Sequence, residues 1–82
     1  MAGRMNGTMM VILGHIEETP STRMQAFKMC ASEIPDWNWS SFKRIIGVMT
    51  MTRLIVTDDH DIISLTDEGR EWLKAARITS HM

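Results

Sequence analysis

The sequence predicts a single α+β domain in which three helices are followed by a two-stranded β-hairpin and a C-terminal helix. Apolar residues recur at helical spacing from Thr8 to Thr52, and two β-branched runs separated by a short polar turn come next. A chain of 82 residues suffices for one domain, and 44% hydrophobic and 23% charged residues are typical of a soluble globular protein. The domain is expected to span residues 8–77.

The first helix is predicted to begin at Thr8, which can cap it, and to close within residues 17–20. Closure is expected there because the residue before a proline, here Pro20, avoids the α region. Residues 1–7 are small, polar and glycine-bearing, so they are predicted to be flexible. The apolar residues of this helix are Met9, Ile12, Leu13 and Ile16.

The second helix is predicted within "STRMQAFKMCASEIP", with Ser21 as its N-cap and Pro35 as its end. One face of this helix is expected to be buried. That face carries Met24, Phe27, Ala31 and Ile34, with Cys30 beside them.

The third helix is predicted to begin at Asn38, which we favour as N-cap over Asp36 and Ser40. Its apolar stripe follows the spacing i, i+3, i+4, i+7, and Trp39 joins it. The stripe consists of Phe42, Ile45, Ile46 and Met49.

Large side chains near this helix leave alternatives open. Trp39 is predicted to lie in the core against the second helix. Trp37 either packs on Pro35 or is exposed at a DNA or partner surface, and packing is the favoured interpretation.

Methionines Met9, Met24 and Met49 are predicted to be core. Four other methionines are predicted to be partly exposed, and they either serve a dimer interface or reflect loose packing of a small core. They are Met5, Met10, Met29 and Met51.

The runs "RLIVT" and "IISLT", separated by "DDHD", predict a hairpin with a four-residue loop at 58–61. The final helix is predicted to be capped by Thr66 and to carry Asp67 and Glu68 at its positive dipole end. Residues 78–82 are predicted to form a flexible tail. The residues expected to face inward are Leu65, Trp72, Leu73 and Ala76.

The net charge is −1 and the pI about 6.3, so the chain lacks the strong basicity that by itself indicates nucleic acid. The charges are unevenly spread. Residues 54–72 hold six acids and one base, a net charge of −5, and the other residues sum to +4. Either a basic half faces DNA while an acidic half is kept away, or the acids only solubilise the hairpin and cap a helix.

The chain is expected to be cytoplasmic and reduced, because its single cysteine, Cys30, cannot form an internal disulfide. No signal peptide is recognisable. The apolar run at 9–13 is far shorter than the ~20 residues that a membrane span needs, so no membrane partner is expected.

No pattern indicates an enzyme or a cofactor. The "DDHD" loop offers carboxylates and His60, but no second cluster completes a coordination shell, so no metal is expected. Cys30 with His15 would suggest a thiol nucleophile, yet Cys30 falls on a buried helical face, where a small apolar role is usual. No Ser-His-Asp order or Gly-rich phosphate loop stands out.

The order helix, helix, helix, strand, turn, strand, helix resembles that of a winged helix-turn-helix domain. The segment "RLIVTDDHDIISLTDEGREWL" is similar to the wing and following helix of small bacterial or phage regulators of the MarR and PadR kind. The pair Leu54–Ile55 leads into this wing, and the "LT-x-x-G" phrase Leu65–Gly69 leaves it. "FKRIIGVM" corresponds to the end of the recognition helix of those families. The resemblance covers Thr8 to Ala76 and implies DNA binding.

Two positions depart from this resemblance. Arg53 stands where such families often have glycine, so the third helix is expected to end differently. The wing tip at 58–61 is acidic where Arg or Lys is usual, which puts a wing contact with DNA in question.

The resemblance implies that the outward face of the third helix enters the major groove. Arg44 can make two hydrogen bonds to guanine, and Gly47 lets the backbone approach DNA. Thr22 and Arg23, at the start of the second helix, are predicted to hold phosphate. A solvated helix face is the alternative interpretation. The predicted DNA-binding residues are Thr22, Arg23, Asn38, Ser40, Ser41, Lys43, Arg44, Gly47 and Met51.

The sequence therefore predicts a small winged-helix transcription regulator that reads double-stranded DNA with helix 3, about residues 39–52. One such module offers only about 600–1,000 Å² of interface, so a homodimer or a protein partner is expected. The alternative is a winged-helix protein-interaction module, an adaptor or anti-repressor that does not bind DNA. The acidic tip and near-neutral net charge fit that alternative better.

Overall fold

The computed structural model describes the backbone of residues 2–80 and the side chains of residues 7–79. It is a small α+β fold with four helices and a three-stranded antiparallel sheet, and a β-hairpin lies between the third and fourth helices. The elements are α1 (Ala2–Glu18), β1 (Ser21–Thr22), α2 (Arg23–Cys30), α3 (Trp39–Met51), β2 (Ile55–Thr57), β3 (Ile62–Leu65) and α4 (Asp67–Ser80).

The sheet has the order β1-β3-β2, so β3 pairs with a strand on each side. The predicted hairpin is confirmed: Ile55 pairs with Leu65 and Thr57 with Ile63, around the loop at 58–61. Strand β1 was not predicted. It pairs Ser21 with Ile63, and two residues are too few to show a sequence period.

Strand β1 explains why the predicted N-cap of α2 is wrong. Ser21 is held in the sheet, and its hydroxyl donates to Thr19 O at 2.6 Å. The cap is Thr22, whose Oγ1 accepts from Gln25 N at 3.2 Å. Gln25 Oε1 accepts in return from Thr22 N at 3.0 Å, which completes a capping box.

The end helices are longer than predicted. Helix α1 ends at Glu18, as the proline predicts, but it begins at Ala2, so Thr8 lies inside the helix and is not its N-cap. Helix α4 continues to Ser80. Extending an existing helix by one residue costs little free energy, because each added residue gains a hydrogen bond. Residue 1, residues 81–82 and the predicted exposure of Met5 lie outside what the structure describes.

Helix α2 is shorter than predicted. It ends at Cys30, and residues 31–38 form turns before α3, so Pro35 does not set its end. Its buried residues are Ala26 and Cys30, one helical turn apart. Met24 lies about 200° around the helix from Ala26 and is 50% exposed, so the prediction that it is core was wrong. Ala31 lies beyond the helix and is exposed too.

The core contains residues of all four helices and of β2 and β3, and it includes the apolar stripe of α3. Every member of that stripe is buried, as predicted, and Phe42 is the largest side chain that is fully enclosed. Thr66 caps α4 as predicted, because its Oγ1 accepts from Gly69 N at 3.0 Å. The core residues on α1 and α3 are Met9, Ile12, Leu13, Ile16, Phe42, Ile45, Ile46 and Met49.

Helix α3 ends in a Schellman motif even though no glycine is present. Arg53 adopts a φ of 63°, in the left-handed region that favours glycine. Leu54 N then donates to Met49 O at 2.9 Å and Arg53 N to Thr50 O at 3.1 Å. Arg53 thus ends the helix with the geometry that glycine usually provides. The cost is a positive φ at a residue that has a β-carbon.

The end of α3 is joined to the start of α4 by backbone contacts. Thr66 N donates to Leu54 O at 3.1 Å, and the Thr66 hydroxyl donates to Arg53 O. A β-carbon on Gly69 would lie 2.0 Å from Leu54 O, closer than any real contact. Glycine is therefore required at this position. We call the contact of Arg53 and Leu54 with Thr66 and Gly69 the junction, because the hairpin lies between these two segments.

Replacing this glycine should be strongly destabilising. Gly69→Ala should lower the free energy of unfolding by about 3 kcal/mol or more, because backbone atoms must separate to admit the methyl group. Gly47→Ala is the matched control: nothing lies within 4 Å of its added carbon, and a helix interior favours alanine by about 1 kcal/mol. Urea unfolding measures both. Equal stability of the two variants would contradict the junction.

Arg53→Gly should stabilise the domain by about 1 kcal/mol, because glycine adopts a positive φ without steric cost. Arg53→Ala should give no such gain, since alanine keeps the β-carbon and loses only the guanidinium. Thermal unfolding of the two variants separates the backbone effect from the side-chain effect. An equal gain in both would mean that the charge of Arg53, and not its backbone conformation, is unfavourable.

Candidate nucleic-acid interface

The outer face of α3 is open to solvent along its whole length. Arg44 and Lys43 are exposed, while their neighbours Phe42 and Ile45 are buried, so the predicted orientation of the helix is correct. Met51, at the last turn, is 85% exposed. The exposed residues of this face are Ser40, Ser41, Lys43, Arg44, Gly47 and Met51.

Three exposed cations of α2 and α3 are not neutralised by an ion pair within the described residues. Among the described side chains, Arg23, Lys43 and Arg44 form no ion pair. Ion pairs instead join Arg70 to Asp67 at 3.4 Å and Arg77 to Glu17 at 3.1 Å. The guanidinium and ammonium groups of these three residues therefore keep their donors available for an anion.

Asn38 has a structural role at the start of α3. It is the N-cap, as predicted: its Oδ1 accepts from Ser41 N at 2.9 Å, and its Nδ2 donates to Asp36 O at 3.2 Å. Both polar atoms of the side chain are thus occupied. A DNA contact by Asn38 would have to share these atoms with the cap, so α3 presents Ser40 and Ser41 as its first free hydroxyls.

The predicted phosphate-binding end of α2 is partly occupied by its own cap. Thr22 is half-buried, and the capping box uses its Oγ1 and its amide. Arg23 is exposed in the first turn. An anion at this end would therefore meet the Arg23 side chain and the first-turn amides that the box leaves free.

The carboxylate of Asp58 stabilises the hairpin loop at 58–61. Asp58 Oδ1 accepts from His60 N at 2.8 Å and from Ile62 N at 3.0 Å, and these two bonds lower the pKa of Asp58. Asp61 closes the turn in the left-handed region, with a φ of 61°. All four loop residues are exposed, so Asp59 and Asp61 add negative charge to the tip.

Two tryptophans join the ends of α2 and α3. Trp37 is half-buried and stacks on Phe27, with centroids 5.5 Å apart, and its Nε1 donates to Phe27 O at 2.8 Å. Trp39 stacks on Phe42 at 5.4 Å and meets Phe27 edge-on at 5.2 Å. Trp37 is therefore packed, as favoured, with its ring on Phe27. Trp39 touches the core but is 36% exposed, so its predicted burial was wrong.

Cys30 is fully buried, as predicted. Burial, and then the charge of Glu33, raises the pKa of the Cys30 thiol to about 11. The thiol is thus protonated at neutral pH, which opposes a nucleophilic role. His15 is engaged elsewhere, because its Nε2 pairs with Glu33 Oε2. Among the described residues, no three His, Cys, Asp or Glu side chains are grouped so that they could hold a metal ion.

Sequence reasoning missed two features beside the candidate interface. One is strand β1, which fixes the start of α2 on the sheet. The other is a groove lined by Phe27 of α2 and by residues 31–37 of the connection to α3, which exists because α2 ends before Pro35. Only the turn-forming segment "IPDW" hinted at it.

No helix within residues 2–80 is both long and apolar enough to cross a membrane. Comparisons of the chain with family models, with curated proteins and with solved structures found no match.

The acidic tip should not contribute to DNA affinity. Asp59→Asn with Asp61→Asn should leave non-specific DNA binding unchanged or raise it, because phosphate repels these carboxylates. Asp58 is kept, since its carboxylate holds the turn. Fluorescence anisotropy with random-sequence duplex measures the effect, and Asp67→Asn is the control for lost charge elsewhere. A large loss of affinity would identify the tip as a real contact.

Proposed function

We propose that this chain is a winged-helix transcription regulator that binds double-stranded DNA. In this assignment α2 and α3 are the helix-turn-helix, α3 is the recognition helix and the β2–β3 hairpin is the wing. The observation that carries the proposal is the outer face of α3, which is exposed throughout and bears the unpaired cations Lys43 and Arg44.

The face suits the major groove in shape and in chemistry. A major groove about 12 Å wide admits an α-helix, and side chains that project from its outer face reach the base edges. Arg44 projects opposite the buried stripe, so its guanidinium can bind guanine O6 and N7 together. A β-carbon added at Gly47 would meet nothing within 4 Å, so the helix surface is open there and would let the backbone lie close to the bases.

Phosphate contacts would fix the position of this helix on the duplex. Arg23 supplies a charge at the start of α2, and Ser40 and Ser41 supply hydroxyls at the start of α3. Strand β1 ties the start of α2 to the sheet, so the predicted phosphate anchor has a fixed position relative to the hairpin. Such contacts set the register and orientation on DNA without reading sequence.

The wing would act differently from a basic wing. With Asp58, Asp59 and Asp61 exposed at its tip, it would stay outside the minor groove, where the negative potential is strong. Affinity would then rest on α3 and on the start of α2. A single module with so few contacts needs a second copy or a protein partner to gain useful specificity.

The protein-interaction module remains the second candidate, because the exposed acidic tip favours a protein partner over a phosphate backbone. Salt dependence distinguishes the two. Affinity of a DNA complex falls steeply as salt rises, with a slope set by the number of phosphates contacted, whereas a protein complex of ordinary polarity shows a shallow dependence. An NMR titration with random-sequence duplex at low salt should shift amides in 22–23 and 40–51.

Arg44→Ala is the sharpest test of the interface. Arg44 is exposed, so the variant should change the free energy of unfolding by no more than about 0.5 kcal/mol. It should bind its selected site about tenfold more weakly, because a bidentate contact to guanine is lost. Lys74→Ala, which removes an exposed cation from α4, is the matched control and should leave affinity unchanged.

Ile45→Ala should show the opposite pattern. It empties volume in the buried stripe and should lose about 2–5 kcal/mol of stability, while the folded fraction still binds. If Arg44→Ala changes neither stability nor DNA binding, α3 is not the recognition surface and the protein-interaction module becomes the better proposal.

A further inference from the structure

A groove of about 660 Å³ lies between the end of α2 and the start of α3. It exists because α2 stops at Cys30 and the chain turns away through residues 31–38. Its lining is mainly apolar and includes two exposed acids, Glu33 and Asp36, which we call the rim, and none of the lining residues is basic. The lining residues are Phe27, Ala31, Ser32, Glu33, Ile34, Pro35, Asp36 and Trp37.

Trp37 presents an aromatic surface to the groove without a free donor. Its Nε1 already donates to Phe27 O at 2.8 Å, and its ring is supported by Phe27, whose centroid lies 5.5 Å away in a stacked arrangement. The indole therefore has a fixed orientation. What it can offer a ligand is its π system, which attracts a cation.

The two carboxylates of the rim differ in availability. Glu33 pairs with His15, which lies on α1. The Asp36 carboxylate makes no ion pair or hydrogen bond within the described part of the chain. Asp36 is exposed, has a φ of 56°, and lines the groove together with Trp37.

We propose that this groove binds an arginine side chain presented by a basic segment of a partner protein. The guanidinium stacks on Trp37 and pairs with Asp36, and its methylene stem packs on Pro35 and Ile34. A planar guanidinium satisfies the ring and the carboxylate together, whereas an ammonium group is a compact point charge. The charge of the rim repels phosphate, so nucleic acid is excluded as the occupant.

This surface is separate from the proposed DNA-contact residues and does not depend on DNA binding. The groove contains neither Arg23 nor any residue of the outer face of α3. A regulator that binds DNA and an adaptor that does not would both be able to use it to recruit a basic partner.

The test is an NMR titration of the full chain with a short capped peptide that carries one arginine between alanines. Amides of residues 31–37 and the indole proton of Trp37 should shift in a saturable manner. Replacing arginine by citrulline keeps the shape of the side chain and removes the charge, so this peptide should bind at least about threefold more weakly. A lysine peptide should also be weaker than the arginine peptide.

Asp36→Asn is the diagnostic variant, because asparagine tolerates the left-handed backbone of residue 36 and the fold is retained. It should weaken the arginine peptide about threefold, as expected for an exposed ion pair. Asp59→Asn removes the same charge from the hairpin tip and should leave binding unchanged.

Trp37→Leu should weaken binding further and reduce the preference for arginine over lysine. Its folding is checked by the dispersion of its amide spectrum, and Asp36→Asn still decides the result if Trp37→Leu unfolds. The proposal fails if no peptide binds, if citrulline binds as well as arginine, or if the shifts cluster at 58–61 and Asp59→Asn has the larger effect.

Discussion

The approach of α4 to the end of α3 is the contact on which the remaining geometry depends. Gly69 lies so close to Leu54 O that any side chain would force the two backbones apart. Thr66 joins the same two segments through its amide and its hydroxyl. The whole β2–β3 hairpin leaves and re-enters the fold through this junction. This junction therefore fixes the direction of α3 relative to the sheet, and α3 carries the candidate interface.

The elements that leave a periodic pattern or a local chemical signal in the sequence could be predicted from it. The stripe of α3 follows the helical period over two turns, so its buried face and its exposed face were both predicted correctly. The hairpin and the caps at Asn38 and Thr66 have local chemical signals that no distant residue overrides. Exposure of most candidate DNA-contact residues followed from the same geometry.

What escaped prediction depends on residues far apart in the chain. Ser21 looked like a helix cap, but pairing with Ile63 holds it in a strand and passes the cap to Thr22. The groove beside Trp37 arises because α2 ends early and Phe27 packs against α3, and neither event leaves a period in the sequence. A site of that kind is formed by tertiary packing, so a one-dimensional pattern does not reveal it.

The pairing of β1 with β3 has a consequence for the entropy cost of forming the sheet. Strands β2 and β3 are neighbours and close a short loop, whereas Ser21 and Ile63 lie about forty residues apart. Pairing β1 with β3 therefore costs more chain entropy than closing the hairpin does. Arg23 follows β1 directly, so the position of the start of α2 depends on the costlier of the two pairings.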